Sequence, residues 1–216
     1  MRLLPAAITR AACFVSVCLL TAAAAAAQPP EPPGPFVVDL HGAYSSVGQS
    51  DALASPRGLL SSDLPGSVLG IDAGAHVYPV RRKVTIGLGA SLLLAGGSQA
   101  GAVDESGVAS TAAEFRVRGV MPQLSLNFGS SRGWSYLGAG FGLAQLKVGK
   151  TESDLPWGPM TPTLHFGGGA RWFIRERLAF SFDGRFYKVG AKPLEGDYLG
   201  NPTVSMFVLS AGISVK

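Results

Sequence analysis

Thr163-Leu-His-Phe-Gly-Gly-Gly-Ala-Arg-Trp-Phe-Ile174 is the stretch that decides the fold. Its apolar residues recur every second position, not every third or fourth. Leu164, Phe166, Ala170, Trp172 and Ile174 share one face with Gly168. Thr163, His165, Gly167, Gly169, Arg171 and Phe173 share the other. That period belongs to a β-strand. After Arg175-Glu176-Arg177 the pattern resumes, with Leu178, Phe180, Phe182, Gly184 and Phe186 set against Ala179, Ser181, Asp183, Arg185 and Tyr187. Two alternating runs joined by a short polar link predict an antiparallel hairpin. With a three-residue link, Ile174 faces Leu178, Arg171 faces Ser181 and Gly169 faces Asp183.

The same period extends outward in both directions. Strands are predicted over 36–45, 67–80, 84–95, 115–128, 135–148, 163–174, 178–187 and 203–216. In the fourth, Phe115 and Val117 are odd whereas Leu124, Leu126 and Phe128 are even, so a β-bulge is expected near Gly119, with Pro122 at an irregular point. The links alternate in length. Those at 81–83, 129–133 and 175–177 are short. Those at 46–66, 96–113, 149–161 and 190–202 are long and rich in Gly, Ser, Pro and Asp. Eight strands so connected put both chain ends on the short-turn side. This is the plan of an all-β, eight-stranded antiparallel up-and-down transmembrane β-barrel.

A soluble barrel of lipocalin type also alternates, and the polar face separates the two. Facing water, it would be rich in Lys and Glu. Here it is mostly Gly and Ser with a few Asp, Arg and His, which suits the narrow interior of an eight-stranded barrel. The opposite face carries Leu, Phe, Ala and Trp, as lipid contact requires. Phe128, Trp134 and Trp172 lie near short turns, where interfacial aromatic girdles sit. Composition agrees: charged residues are 15% and Gly is 29 of 216, which disfavours an all-helical fold.

The N-terminal segment reads differently. Arg2 and Arg10, an apolar run from Ala11 to Leu20 and the alanines 22–27 predict a secretory signal over 1–27, cleaved after Ala27. Ala is a weak membrane residue, which disfavours an uncleaved anchor. Residues 28–35, Gln-Pro-Pro-Glu-Pro-Pro-Gly-Pro, predict an extended spacer, and 36–216 the barrel. Both cysteines, Cys13 and Cys18, fall in the signal, so no disulfide or thiolate metal site is expected in the mature chain. Without Arg2 and Arg10, 16 basic residues face 14 acidic ones. The calculated pI of 9.3 is therefore no argument for nucleic acid.

His165 to Tyr187 resembles the penultimate hairpin of small OmpA-like outer-membrane β-barrel domains. Tyr136-Leu-Gly-Ala-Gly-Phe-Gly-Leu-Ala144 resembles their fifth strand, and Leu209-Ser-Ala-Gly-Ile-Ser-Val215 their last. The resemblance implies a place in the bacterial outer membrane, with outer-membrane lipids and, during assembly, the barrel-insertion machinery as partners. Chains of that family usually end in an aromatic residue that the machinery reads. This sequence has Lys216 there, with no aromatic after Phe207, a departure that bears on insertion.

Several polar residues share the inward parity: Asp39, His41, Asp72, His76, Arg171, Asp183, Arg185 and Tyr187. They are expected to form a lumen network, with Arg171 and Asp183 paired as diagonal neighbours. Asp39, His41, Asp72 and His76 could form a two-His, two-Asp metal cluster, but a packed polar network explains them without an ion. His165 lies near the outer end without a serine beside it, which leaves a lipid A-modifying enzyme as an outside alternative. The glycines 167–169 precede no helix, so they fail the context of a phosphate-binding loop. No catalytic residue, cofactor or metal is expected. The expected role is non-enzymatic, structural or adhesive, through extracellular loops in which Trp157 and Tyr198 are candidate anchors. A narrow channel or carrier for small solutes is the alternative. N-terminal sequencing of the mature protein is expected to start at or near Gln28; an envelope-purified chain starting at Met1 would contradict the signal.

Overall fold

A computed structural model describes residues 31–101, 111–153, 156–196 and 198–216. The expected signal and residues 28–30 of the spacer lie outside the described residues. The compact unit Pro32–Lys216 is a closed barrel whose strands follow chain order. They are β1 (Phe36–Val47), β2 (Ser67–Arg81), β3 (Thr85–Gln99), β4 (Ala113–Ser130), β5 (Gly133–Lys150), β6 (Thr161–Phe173), β7 (Leu178–Val189) and β8 (Val204–Val215). β1 closes on β8, Val38 opposite Val215 and Val47 opposite Met206. Closure leaves no strand edge unpaired, which a membrane demands of any sheet.

The decisive hairpin has the expected register: Arg171 lies opposite Ser181 and Gly169 opposite Asp183. The bulge expected near Gly119 is absent. β3 and β4 pair without a shift from Thr85–Asn127 to Gln99–Ala113, and the odd residues of β4 face inward throughout. Phe115 and Val117 are apolar because the upper lumen is apolar, not because the strand changes face. At Pro122 the β4–β5 ladder is interrupted, as expected, but without a shift; the register shift lies in β2, between Val77 and Val80. Pro79 sits there; it has no N–H to give a ladder, and a bulge removes it from the pairing.

Outside, the barrel presents a belt of large apolar side chains. Leu69, Leu137, Phe141 and Phe166 are 69%, 63%, 62% and 53% exposed. Phe186 packs between Phe166 and Phe207, at ring separations of 5.5 and 4.6 Å. A continuous apolar surface of this kind is unstable in water and matched to lipid. Phe128 and Trp172 point outward as expected. Trp134 does not: it is 2% exposed and lies inside the barrel.

The interior is filled by setting large side chains against glycines. A Cβ on Gly140 would stand 2.5 Å from His165 Nε2, and one on Gly89 would stand 2.1 Å from the His76 ring. These strands carry glycine where a neighbour carries histidine because an eight-stranded lumen has no spare volume. Gly140→Val is expected to abolish the compact, heat-modifiable form on unboiled gels. Ala139→Val, one residue along and facing lipid, is expected to preserve it.

Candidate functional site

The lumen divides into three layers along the barrel axis. At the short-turn end Trp134 meets Tyr78 edge-on at 5.9 Å and stacks on Phe173 at 5.1 Å. Val37 and Tyr136 complete this plug. Lys216 closes it from below, its Nζ 4.1 Å from the Phe173 ring centre and donating to the Ser131 carbonyl.

The middle layer is polar and ionic. Arg171, 1% exposed, donates to Asp39 through Nε at 2.9 Å and Nη2 at 2.6 Å. Its guanidinium also lies 4.3 Å from the Tyr136 ring centre. His76 Nδ1 is 3.2 Å from Asp39, and Gln123 donates to its other ring nitrogen. The Gln123 carbonyl oxygen accepts from Arg185. Arg185 clamps Asp183 with Nε at 2.5 Å and Nη2 at 3.0 Å. Asp183 accepts from the Tyr136 hydroxyl, which returns the chain to Arg171. The circuit Asp39–His76–Gln123–Arg185–Asp183–Tyr136–Arg171 thus joins six of the eight strands, and Ser214 of β8 donates to Asp39. Charges this deep must be paired and hydrogen-bonded or they are very costly.

Five of the eight expected residues, Asp39, His76, Arg171, Asp183 and Arg185, therefore meet in this circuit, but not in the expected pairs. Arg171 does not bind its diagonal neighbour Asp183; it reaches across the lumen to Asp39, and Asp183 binds Arg185 two residues along its own strand. A long side chain in a narrow barrel has partners on the far wall as near as those on its own sheet. His41 Nε2 lies 2.7 Å from Ser181 Oγ, buried among Ser210 and the Asp39 cluster. Asp72 is buried beside Ser91 and Arg185 in a cavity of about 10 Å³, room for one water at most. Both guanidiniums are committed to other carboxylates. Tyr187 stacks on His165 at 5.6 Å, and His165 Nε2 donates to the Pro122 carbonyl at 3.2 Å. Among the described residues no three His, Cys, Asp or Glu side chains gather as metal ligands. Gln123 and Tyr136 were not among the expected network residues. The supposed bulge hid the inward parity of Gln123; its alternation with Met121 and Ser125 was the available signal.

The outer layer is an apolar core. Val47, Val68, Leu93, Phe115, Met121 and Val148 fill it with their neighbours. The long β1–β2 loop, predicted without structure, folds over it. Ser50 caps a helical turn, Asp51–Ala54, and 3₁₀ turns follow at Ser55–Arg57 and Ser61–Asp63. Leu53, Ala54, Leu59 and Leu64 point down into the barrel and are at most 5% exposed. Arg57 braces this cap from within, donating to the Leu53 carbonyl (2.7 Å), and holds it to two other segments through the carbonyls of Val148 (3.0 Å) and Gly200 (2.6 Å). Burial lowers the Arg57 pKa, but a guanidinium keeps its charge at physiological pH.

Around the cap, the expected loop anchors are occupied. Trp157 lies beneath the Arg118 guanidinium, 4.3 Å from the ring centre, and the Tyr198 hydroxyl donates to Asn201. Among the described residues, the large apolar side chains that the long loops expose are Leu60, Met160 and Leu194, at 59%, 54% and 69%.

No protein-family model matches the chain, and no curated protein matches it. Among solved structures it is similar to Neisserial surface protein A, with a TM-score of 0.53 and 17% identity over 85% of this chain and 97% of that one. It is also similar to Ail, the attachment invasion locus protein of Yersinia pestis, solved in complex with the heparin analogue sucrose octasulfate (TM-score 0.44, 13% identity, 83% and 97% covered). A third is the outer membrane protein AlkL, solved in lipid bilayers (TM-score 0.39, 17% identity, 88% and 93% covered). The fold is that of a small bacterial outer-membrane β-barrel.

Removing one member of a buried ion pair costs about 3–5 kcal/mol. Asp39→Leu is expected to destabilise the barrel by that order in urea unfolding, and adding Arg171→Leu to recover part of the loss. The Asp39–Arg171 coupling should exceed that of Asp183–Arg171; equal couplings would contradict the pairing described.

Proposed function

We propose that the protein is a non-enzymatic, pore-less outer-membrane barrel that presents its outer loops as a contact surface for an extracellular partner. The observation that carries this reading is the filled lumen. An aromatic plug, a closed ionic circuit and a capped apolar core follow one another along the axis and leave no aqueous path among the described residues. With the interior given over to packing, the surface free to act is at the outer rim. Leu60, Met160 and Leu194 come from three different loops there, and exposed apolar side chains on a rigid frame are the usual anchors of a binding surface.

Lipid modification draws no support from the geometry. The His41–Ser181 pair has the atoms of a nucleophile and its base, but both residues are buried in the lumen, walled off from lipid and solvent. The carrier reading rests on a specific feature. The outer half of the lumen is apolar beneath a single loop, so lifting that cap would uncover a greasy chamber.

Planar bilayers containing the protein are expected to show no steady large conductance. Cells displaying it are expected to attach to epithelial monolayers. Cells displaying Leu60→Asp, Met160→Asp and Leu194→Asp together are expected to attach no better than cells without it, with the barrel still heat-modifiable. Undiminished attachment would overturn the loop assignment. If Arg57→Ala instead speeds uptake of an apolar dye, the carrier reading gains.

A further inference from the structure

The two rims of the barrel are charged very differently. At the outer rim three of the cations are matched by carboxylates. Glu114 takes Arg116 at 3.0 Å and Lys147 at 3.2 Å, and Lys192 lies 3.6 Å from Glu195. At the short-turn rim they are not. Its three turns hold Arg81, Arg82, Lys83, Arg132, Arg175 and Arg177 against a single carboxylate, Glu176, and all are exposed. None of these six cations joins an ion pair among the described residues.

Their placement is annular. The turns stand between β2 and β3, β4 and β5, and β6 and β7, and Lys216 follows β8 where it meets β1. Exposed cations thus stand at three of the four seams of this rim, and at the fourth Lys216 turns its ammonium in over Phe173. Just above them the outward residues turn apolar: Phe128, Trp172, Ile174 and Phe180 are 43%, 50%, 70% and 50% exposed. The ring therefore sits where hydrocarbon gives way to headgroups. Three consecutive cations in one tight turn repel one another, and nothing in the fold offsets that repulsion. Solvent and salt screen it, and any fixed counter-charge would come from outside the chain.

We propose that this ring binds the phosphate headgroups of anionic phospholipids in the leaflet on the short-turn side. The inference rests on the membrane-barrel reading. A lipid annulus meets the barrel from every side at one height, which is how these cations are arranged. A folded acidic partner would meet one arc of the rim and leave the rest unmatched. Arg and Lys have long apolar stems, so they can lie along the belt and place their charge at the phosphates. Each such residue near an anionic surface adds to the attraction, and salt weakens it.

Trp172 is a built-in reporter, because it faces lipid at the level of the ring. The full-length mature protein is refolded in vesicles of phosphatidylcholine and phosphatidylglycerol, with bromine on one lipid at a time. Quenching of Trp172 is isolated by subtracting the Trp172→Phe protein. Phosphatidylglycerol is expected to be enriched about threefold around Trp172 at low salt, and to fall to its bulk share at high salt. A protein with Arg82, Lys83, Arg132, Arg175 and Arg177 all changed to Gln is expected to show no enrichment. Changing Arg116 and Lys192 to Gln at the other rim is expected to leave it intact. No enrichment in the wild-type barrel, or equal enrichment in the five-site variant, would overturn the proposal. Binding of soluble acidic glycan strands in place of lipid enrichment would overturn it as well. The heat-modifiable gel shift, followed in parallel, tests the membrane barrel separately.

Discussion

The bidentate contact of Arg171 with Asp39 is the constraint on which the interior depends. A guanidinium 1% exposed has lost its hydration, and only a carboxylate with matched geometry offsets that loss. Asp39 must then be held in place, and His76 and Ser214 do so from the neighbouring strands. His76 in turn needs Gln123, Gln123 needs Arg185, and Arg185 needs Asp183. Every demand but the last, which Arg185 and Asp183 meet along β7, is met on a different strand, so the circuit specifies which strands face one another across the lumen. In a barrel whose outer surface is uniformly greasy, lipid contact cannot do that. The apolar belt tolerates any register that keeps alternate residues outward, whereas the ionic circuit tolerates one.

The circuit also explains where the glycines fall. Side chains as large as Arg171, Arg185, His76, His165 and Tyr136 share a lumen that eight strands make only just wide enough for side chains. Space comes from opposite them: a Cβ at Gly169 would stand 2.8 Å from the Tyr136 hydroxyl, and one at Gly167 would stand 2.7 Å from the Arg185 side chain. The glycine-rich motif of β6 is thus neither a phosphate loop nor a flexible strand. It is the complement of the residues that carry charge.

Much of this was legible in the sequence, for a simple reason. Alternation fixes the two faces of each strand, and a three-residue link fixes the hairpin register, so Arg171 opposite Ser181 followed from counting. What counting could not supply was anything across the lumen. The Arg171–Asp183 pairing failed because sequence reasoning sees neighbours on the sheet, while Asp39 approaches from the opposite wall. Trp134 was assigned to the lipid girdle by its nearness to a turn, although its even parity, shared with Tyr136, pointed inward. Phe115 and Val117 suggested a bulge only because the lumen was assumed polar throughout. The β1–β2 cap was hidden by its Gly, Ser and Pro content. Its signal was the apolar set Leu53, Leu59 and Leu64 following Ser50-Asp51, a helix-start pattern.

That cap makes the loops unequal. A barrel stabilised from within can leave its loops free to vary, because none is needed to hold the fold. Here the outer half of the lumen is apolar, and an apolar cavity open to water would forfeit its burial. The β1–β2 loop supplies the missing wall, and Arg57 ties that wall to the β5 backbone and to the β7–β8 loop. Most of its apolar residues are therefore structural, and Leu60 is the large one it keeps in solvent. Among the described residues, the β5–β6 and β7–β8 loops contribute Met160 and Leu194 to solvent without lending an apolar side chain to the lumen core. Sequence change at those two positions alters the outer surface while leaving the interior untouched, so that surface can vary there without loss of the barrel.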